Sequence, residues 1–113
     1  MDCLFCKIIA RQIPASIVYE DERMLAFNDI NPQAPTHVLV IPKRHVATLN
    51  DLQPEDDGLV GEMVRRAAAI AKARGLSAGG FRTVFNTNAH AGQTVFHIHL
   101  HLLGGRSFAW PPG

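Results

Sequence analysis

The 113 residues carry 47% hydrophobic and 19% charged side chains, which with domains of roughly 100–200 residues predicts one domain over 1–113, with a modest core and no internal repeat. Eleven Lys plus Arg against ten Asp plus Glu leave a formal net charge of +1, so no basic field exists to recruit nucleic acid. The apolar start is interrupted by Lys7 and no segment is long enough to span a bilayer, so neither a signal peptide nor a membrane partner is expected, and a cytoplasmic protein is.

Leu4, Phe5, Ile8 and Ile9 recur at helical spacing and predict a short helix that stops before Pro14, because the residue preceding proline is pushed out of the α region. Cys3 and Cys6 have C-x-x-C spacing, which in a reducing compartment suggests a metal or a redox pair more than a structural disulfide. Ser16 to Tyr19 and Met24 to Phe27 read as the strands of a hairpin around an acidic turn. The prolines of Asn31-Pro32-Gln33-Ala34-Pro35 predict a loop, and the β-branched run from His37 to Pro42 a buried strand. The longest helix has Pro54 in its first turn, acidic Glu55, Asp56 and Asp57 at its positive end, and Arg65, Arg66, Lys72 and Arg74 toward the other end before Gly75. Its apolar face is Leu59, Met63, Ala67 and Ile70. After a Gly79-Gly80 turn, Phe81 to Asn86 reads as a strand, the polar stretch through Gln93 as a loop, and Phe96 to Leu103 as the last strand. The tail GGRSFAWPPG has too many Gly and Pro residues for regular structure. The expected fold is α+β: a five-stranded, mostly antiparallel sheet with one short N-terminal helix and one long helix packed on it.

The last strand is the most informative segment. His97, His99 and His101 alternate with Phe96, Ile98, Leu100 and Leu102, so the apolar set can enter the core while the histidines line the other face. At a rise of ~3.3 Å per residue His97 and His101 would stand ~13 Å apart. A metal with nitrogens at ~2 Å cannot easily take all three. A polar sheet surface, a metal site on two neighbouring histidines, and phosphate chemistry remain open; imidazole suits the last as nucleophile, acid or donor near neutral pH. The loop upstream favours phosphate: Asn86, Asn88, Gly92, Gln93 and Thr94 offer amide, hydroxyl and close-approach backbone donors.

The run from His97 to Leu103, together with CKIIARQIP, FNDINPQAPTHVLVIPKRH, AGQTVFHIHLHLLGGR and the terminal WPPG, resembles the histidine triad nucleotide-binding proteins over nearly the whole chain. It looks most like their Hint branch of purine nucleoside phosphoramidases. The resemblance implies a homodimer whose two sheets join into one, with a nucleotide site in each protomer. By the same matching His99 would attack the α-phosphorus of a purine nucleoside 5′-phosphoramidate, expel the amine, and form a nucleotidyl-histidine that water hydrolyses. His101 would contact the phosphate, His37 would complete the histidine network, and His97 would orient the nucleophile through its backbone carbonyl. Asn86, Gly92 and Thr94 would meet the phosphoryl oxygens, Asp29 the ribose hydroxyls, and Phe5, Ile8, Phe27, Ile30 and Leu39 the base. Trp110 would reach toward the partner's leaving-group side. A phosphorus–nitrogen bond is labile once its amine is protonated, so such a site needs a nucleophile and hydrogen-bond donors more than a metal.

The C-x-x-C pair departs from the animal-type Hint proteins and is similar to many bacterial triad proteins and to galactose-1-phosphate uridylyltransferases. That resemblance implies a structural zinc on Cys3, Cys6, His45 and His97. The alternatives are a dinucleoside polyphosphate hydrolase, a branch that the WPPG and GGR runs match less well, a non-catalytic AMP-binding or scaffolding module, and a zinc-binding regulatory protein.

Overall fold

The computed structural model describes residues 2–113. Its elements are α1 (Leu4–Ile9), β1 (Ile17–Glu20), β2 (Met24–Asn28), β3 (Thr36–Pro42), α2 (Asp57–Ala73), β4 (Phe81–Phe85), α3 (Asn88–Ala91) and β5 (Leu100–Gly104). The strands form one antiparallel five-stranded sheet in the order β1-β2-β3-β5-β4. The fold is thus α+β, with the short and the long helix where the apolar periodicities put them.

Strand alternation sends neighbouring residues to opposite faces, and here both faces are covered. Met24, Ala26, Val38, Val40, Leu100 and Leu102 pack on Leu59, Met63, Ala67, Ile70 and Ala71 of α2. Leu25, Phe27, Leu39 and Ile41 pack instead on Cys3, Phe5 and Ile8 of α1. β3 is buried along its whole length because it is the middle strand of the sheet and both helices use it. The α1 layer is short, and the histidines of β3 and β5 lie on its side of the sheet.

The C-terminus of α2 follows from Gly75. Its φ of +75° lets Leu76 N–H reach Ala71 O at 2.9 Å and Gly75 N–H reach Lys72 O at 3.0 Å, a Schellman closure. At the other end Pro54–Asp56 forms a tighter 3₁₀ turn before the α-helix begins at Asp57.

Two expectations change. The stretch read as a loop before Gln93 contains the one-turn helix α3, closed by Gly92 in the left-handed region at φ +83°. More consequentially, β5 begins at Leu100, not Phe96. The segment ahead of it leaves the ladder: Ile98 N–H bonds Val46 O at 2.7 Å, while His97 bonds the Pro42 carbonyl. Phe96 is therefore not a core residue and stands 49% exposed. Ile98, Leu100 and Leu102 do enter the α2-side core.

Candidate active site and metal centre

Two groups of polar side chains share the α1 side of the sheet, and His97 gives its side chain to the first and its backbone carbonyl to the second. The first is Cys3, Cys6, His45 and His97. Cys3 caps α1 at its N-terminus, and the N–H of Cys6 donates to Cys3 Sγ at 3.4 Å, so the C-x-x-C spacing brings both sulfurs to one helix end. The chain leaving β3 at Pro42 carries His45 to the same place. Cys3 Sγ lies 3.4 Å from His97 Nδ1, Cys6 Sγ 3.5 Å from His45 Nδ1 and 3.6 Å from His97 Nδ1, and the two Nδ1 atoms are 3.2 Å apart. A tetrahedral zinc with Zn–N of ~2.05 Å and Zn–S of ~2.3 Å has N···N edges of ~3.4 Å and S···N edges of ~3.6 Å. Four of the six edges among the donor atoms thus already approach those such an ion requires, and all six lie within 4.8 Å.

The tautomer of His97 fits as well. Its Nε2 lies 2.7 Å from the Pro42 carbonyl, which can only accept, so Nε2 carries the proton and Nδ1 presents its lone pair to the sulfurs. This is the outer-shell bond that orients a metal-ligating imidazole. Burial, followed by the neighbouring Cys3, pushes the Cys6 thiol up. Four protein donors close the coordination shell and leave no position for a substrate, so an ion here would brace the fold and take no part in bond making.

The second group is His99, His101 and His37. His99 Nδ1 lies 2.8 Å from the carbonyl of His97, so the proton sits on Nδ1 and the lone pair is left on Nε2. Nothing among the described residues bonds that Nε2. Burial holds the His99 imidazole below its ordinary pKa, against a smaller upward pull from the His97 carbonyl. The ring is therefore neutral and nucleophilic at pH 7.

His37 and His101 are fixed by a similar argument. The backbone N–H of Gln33 donates to His37 Nδ1 at 3.0 Å, so that nitrogen is unprotonated in the neutral ring and Nε2 bears the hydrogen. His37 Nε2 in turn meets His101 Nδ1 at 2.9 Å. His101 Nδ1 is then the acceptor, and its own Nε2–H remains as a donor. His101 is pushed down to about 4 by burial, then by the adjacent His99 and His37; His37 is lowered by burial despite Asp29. Asp29, His37 and His101 are close enough to suggest a second metal. The Gln33 amide argues against it, because a ligating Nε2 would force the proton onto Nδ1, where that N–H already points.

His99 and His101 form one wall of a cavity of about 360 Å³, a volume at the lower end of the range for small-molecule sites. Phe5, Ile8, Phe27, Asp29, Ile30, Leu39 and Thr94 line it with them, which brings together most of the residues anticipated from sequence. Phe5 meets Phe27 edge-on at 5.4 Å and His99 at 5.1 Å, so it is both a cavity wall and a cover over the His99 ring. Ile30 is fully exposed on the rim, and Asp29 accepts from Asn31 N–H at 2.8 Å.

His37 and His97 stand behind the wall. Asn86 and Gly92 do not line the cavity. Gln93 is buried, and its amide is fully engaged: Nε2 donates to Ala47 O at 2.9 Å and Val95 O at 3.1 Å, and Oε1 accepts from Asn88 N–H at 2.8 Å. It braces the loop and is not a free phosphate donor. Trp110 is 83% exposed and away from the cavity of its own chain. His90 is exposed on α3. Ile13, Pro14, Ala15 and Val95 also line the cavity and were not anticipated, since short apolar residues beside a turn carry no distinguishing sequence signal. A second cavity of about 590 Å³ beside the tail, lined by Arg82, Arg106 and Phe108, contains no histidine.

A family model described as "Scavenger mRNA decapping enzyme C-term binding" matches residues 2–108. A HIT-like protein of Synechocystis is 54% identical over 112 residues, 99% of this chain and 97% of its own length. The purine nucleoside phosphoramidase of Escherichia coli is 50% identical over 105 residues, 93% of this chain and 88% of its own. The crystal structure of a HIT family hydrolase from Legionella pneumophila superposes with a TM-score of 0.97 at 57% identity, covering 99% of this chain and 100% of the other.

Proposed function

The chain belongs to the histidine triad (HIT) family, and from that premise we propose that it hydrolyses purine nucleoside 5′-phosphoramidates through a covalent nucleotidyl intermediate on His99. The observation that carries this reading is the 2.8 Å contact between His99 Nδ1 and the His97 carbonyl, which leaves Nε2 as the lone-pair nitrogen on a cavity wall. Half identity to a named purine nucleoside phosphoramidase supports the substrate class.

In this reading the Nε2 lone pair attacks the α-phosphorus, the phosphorus–nitrogen bond breaks, and the amine departs with a proton taken from solvent, which the attacking water returns in the second step. The His99 Nδ1–H held on the His97 carbonyl stabilises the positive ring that results. Nε2–H of His101 donates to the phosphoryl oxygens as charge builds there. Water then attacks the phosphorus and releases His99, leaving a nucleoside monophosphate and a free amine. Thr94 faces the phosphate, Asp29 the ribose, and Phe5, Ile8, Phe27, Ile30 and Leu39 the purine. Asn86 and Gly92 act from the loop behind Thr94.

Zinc on Cys3, Cys6, His45 and His97, when bound, supplies rigidity; the chemistry itself requires no metal. The protein works as a homodimer in the cytoplasm, with Trp110 reaching the partner's site. The open edge of β4 and the exposed indole support that assembly.

The test is steady-state hydrolysis of an adenosine 5′-phosphoramidate with an aromatic amine leaving group. Turnover by the wild type, lost by several orders of magnitude in His99→Ala and kept in the presence of a chelator, is the expected result. A folded wild type that binds AMP without turnover would leave a nucleotide-binding module instead.

A further inference from the structure

The Gly104-Gly105-Arg106 run takes no part in the reaction above, yet hydrogen bonds join it to the histidines. Arg106 donates from Nε and from Nη2, each at 3.1 Å, to the carbonyl of Gln33. Its remaining nitrogen donates to Ser107 O at 3.0 Å, and the guanidinium lies 4.3 Å from the Phe108 ring centre. The N–H of the same Gln33 reaches His37 Nδ1, and His37 Nε2 reaches His101 Nδ1. Gly105 permits the approach. Its φ is +90°, and a Cβ built there would stand 2.8 Å from Cβ of Pro35, so the loop carrying Gln33 touches the turn at both Pro35 and Gln33.

The geometry points to Arg106 as a positioning residue: its two-pronged hold on the Gln33 carbonyl fixes the residue whose N–H, on the other side of the Gln33 Cα, sets the tautomer of His37 and, through it, the donor state of His101 Nε2. When the Gln33 N–H leaves His37 Nδ1, only the Asp29 carboxylate, 3.4 Å from Nε2, still favours the proton on that side, and part of the population carries it on Nδ1. Nε2 then accepts, His101 Nδ1 must donate, and His101 presents a lone pair where it had presented a hydrogen. A lone pair repels a phosphoryl oxygen. Lysine cannot restore the hold, because its ammonium lacks the planar fork that places two donors on one carbonyl. The consequence for phosphate binding rests on the function proposed above; the tautomers do not.

The experiment records imidazole ¹⁵N shifts and long-range couplings of the ligand-free, ¹⁵N-labelled full chain at neutral pH, for wild type, Arg106→Met and Arg106→Lys. Arg82→Met is the control, since Arg82 lies on the same Phe108 ring but bonds Ala109 O and not Gln33. AMP titrations accompany the spectra. The wild type is expected to show unprotonated Nδ1 at both His37 and His101. Both Arg106 variants should show mixed tautomers and AMP binding weakened about fivefold to tenfold, the worth of one ordinary hydrogen bond, with Arg82→Met unchanged. Wild-type tautomers in a folded Arg106→Met, an equal change in Arg82→Met, or a wild-type His37 protonated on Nδ1 would each overturn the assignment. If Arg106→Met does not fold, Arg106→Lys, which keeps the charge and the stem, decides it. Absence of phosphoramidate turnover would count against the proposed function alone and leave the imidazole spectra decisive here.

Discussion

Metal loading is the sharpest test of the sulfur–imidazole cluster. The S···N and N···N distances of 3.2–3.6 Å already approximate a zinc tetrahedron, so little rearrangement offsets the binding energy. At free zinc one hundredfold above Kd, the linkage gain is about 2.7 kcal/mol. An unfolding entropy of about 2.1 cal/mol/K per residue gives roughly 0.24 kcal/mol/K for a chain of this length, so chelation should lower Tm by about 11 °C. Calorimetry of the loaded protein before and after a chelator measures this, with elemental analysis giving one zinc per chain. A double Cys3→Ser, Cys6→Ser variant should bind none and show no chelator effect. An unchanged Tm in the wild type, or full zinc content in the double variant, refutes the reasoning.

Four further outcomes follow from particular residues. Because unfolded histidine takes its proton near pH 6.5 while His101 does so only at about 4, the unfolded chain binds more protons across that interval, and stability should fall as pH drops from 6.5 toward 4. kcat/KM should likewise hold through pH 6.5 and decline only below it; an acidic limb centred at 6.5 contradicts the burial argument. Phe5→Ala removes a ring only 4% exposed and should cost about 3–5 kcal/mol in urea unfolding, while a loss under about 1 kcal/mol shows that α1 is not an integral layer. Gly105→Ala and Gly61→Ala should differ in sign. The first meets Pro35 at a left-handed φ and costs about 1–3 kcal/mol; the second sits within α2 with open space around it and gains about 0.5–1 kcal/mol.

Helical periodicity made α2 legible because it buries one regular face on a continuous core, while β2 was legible as an arm of the hairpin around the acidic turn and β3 as a β-branched run buried on both faces. The histidine segment misled at its start for a specific reason. Alternation in FHIHLHLL predicts an unbroken strand, but the backbone before Leu100 bonds the Val46 segment in place of the sheet, a long-range pairing that periodicity cannot register. The cavity residues were found through motif resemblance, since Phe5 or Leu39 alone reads as core, which each also is. Gln93 looked like a phosphate donor because composition reports capacity without partners. Its bonds to Ala47, Val95 and Asn88 were invisible, as was the reach of Arg106 to Gln33.

The break in the last strand also answers why histidine occurs three times in a row of alternate positions. In an unbroken strand the carbonyl of His97 would point sideways into the ladder, as backbone carbonyls do. Outside the ladder it is free to accept from His99 Nδ1, while the His97 ring, turned the other way, is anchored by Pro42 and offers Nδ1 to the sulfurs. One residue thereby supplies a side chain to the sulfur–imidazole cluster and a backbone acceptor to His99. His101, back in the ladder opposite Leu39, is held from another direction, by His37 and the Gln33 amide. Loosening the sulfur cluster should therefore disturb His99 before His101, and the ring nitrogens of the two should respond differently to metal removal.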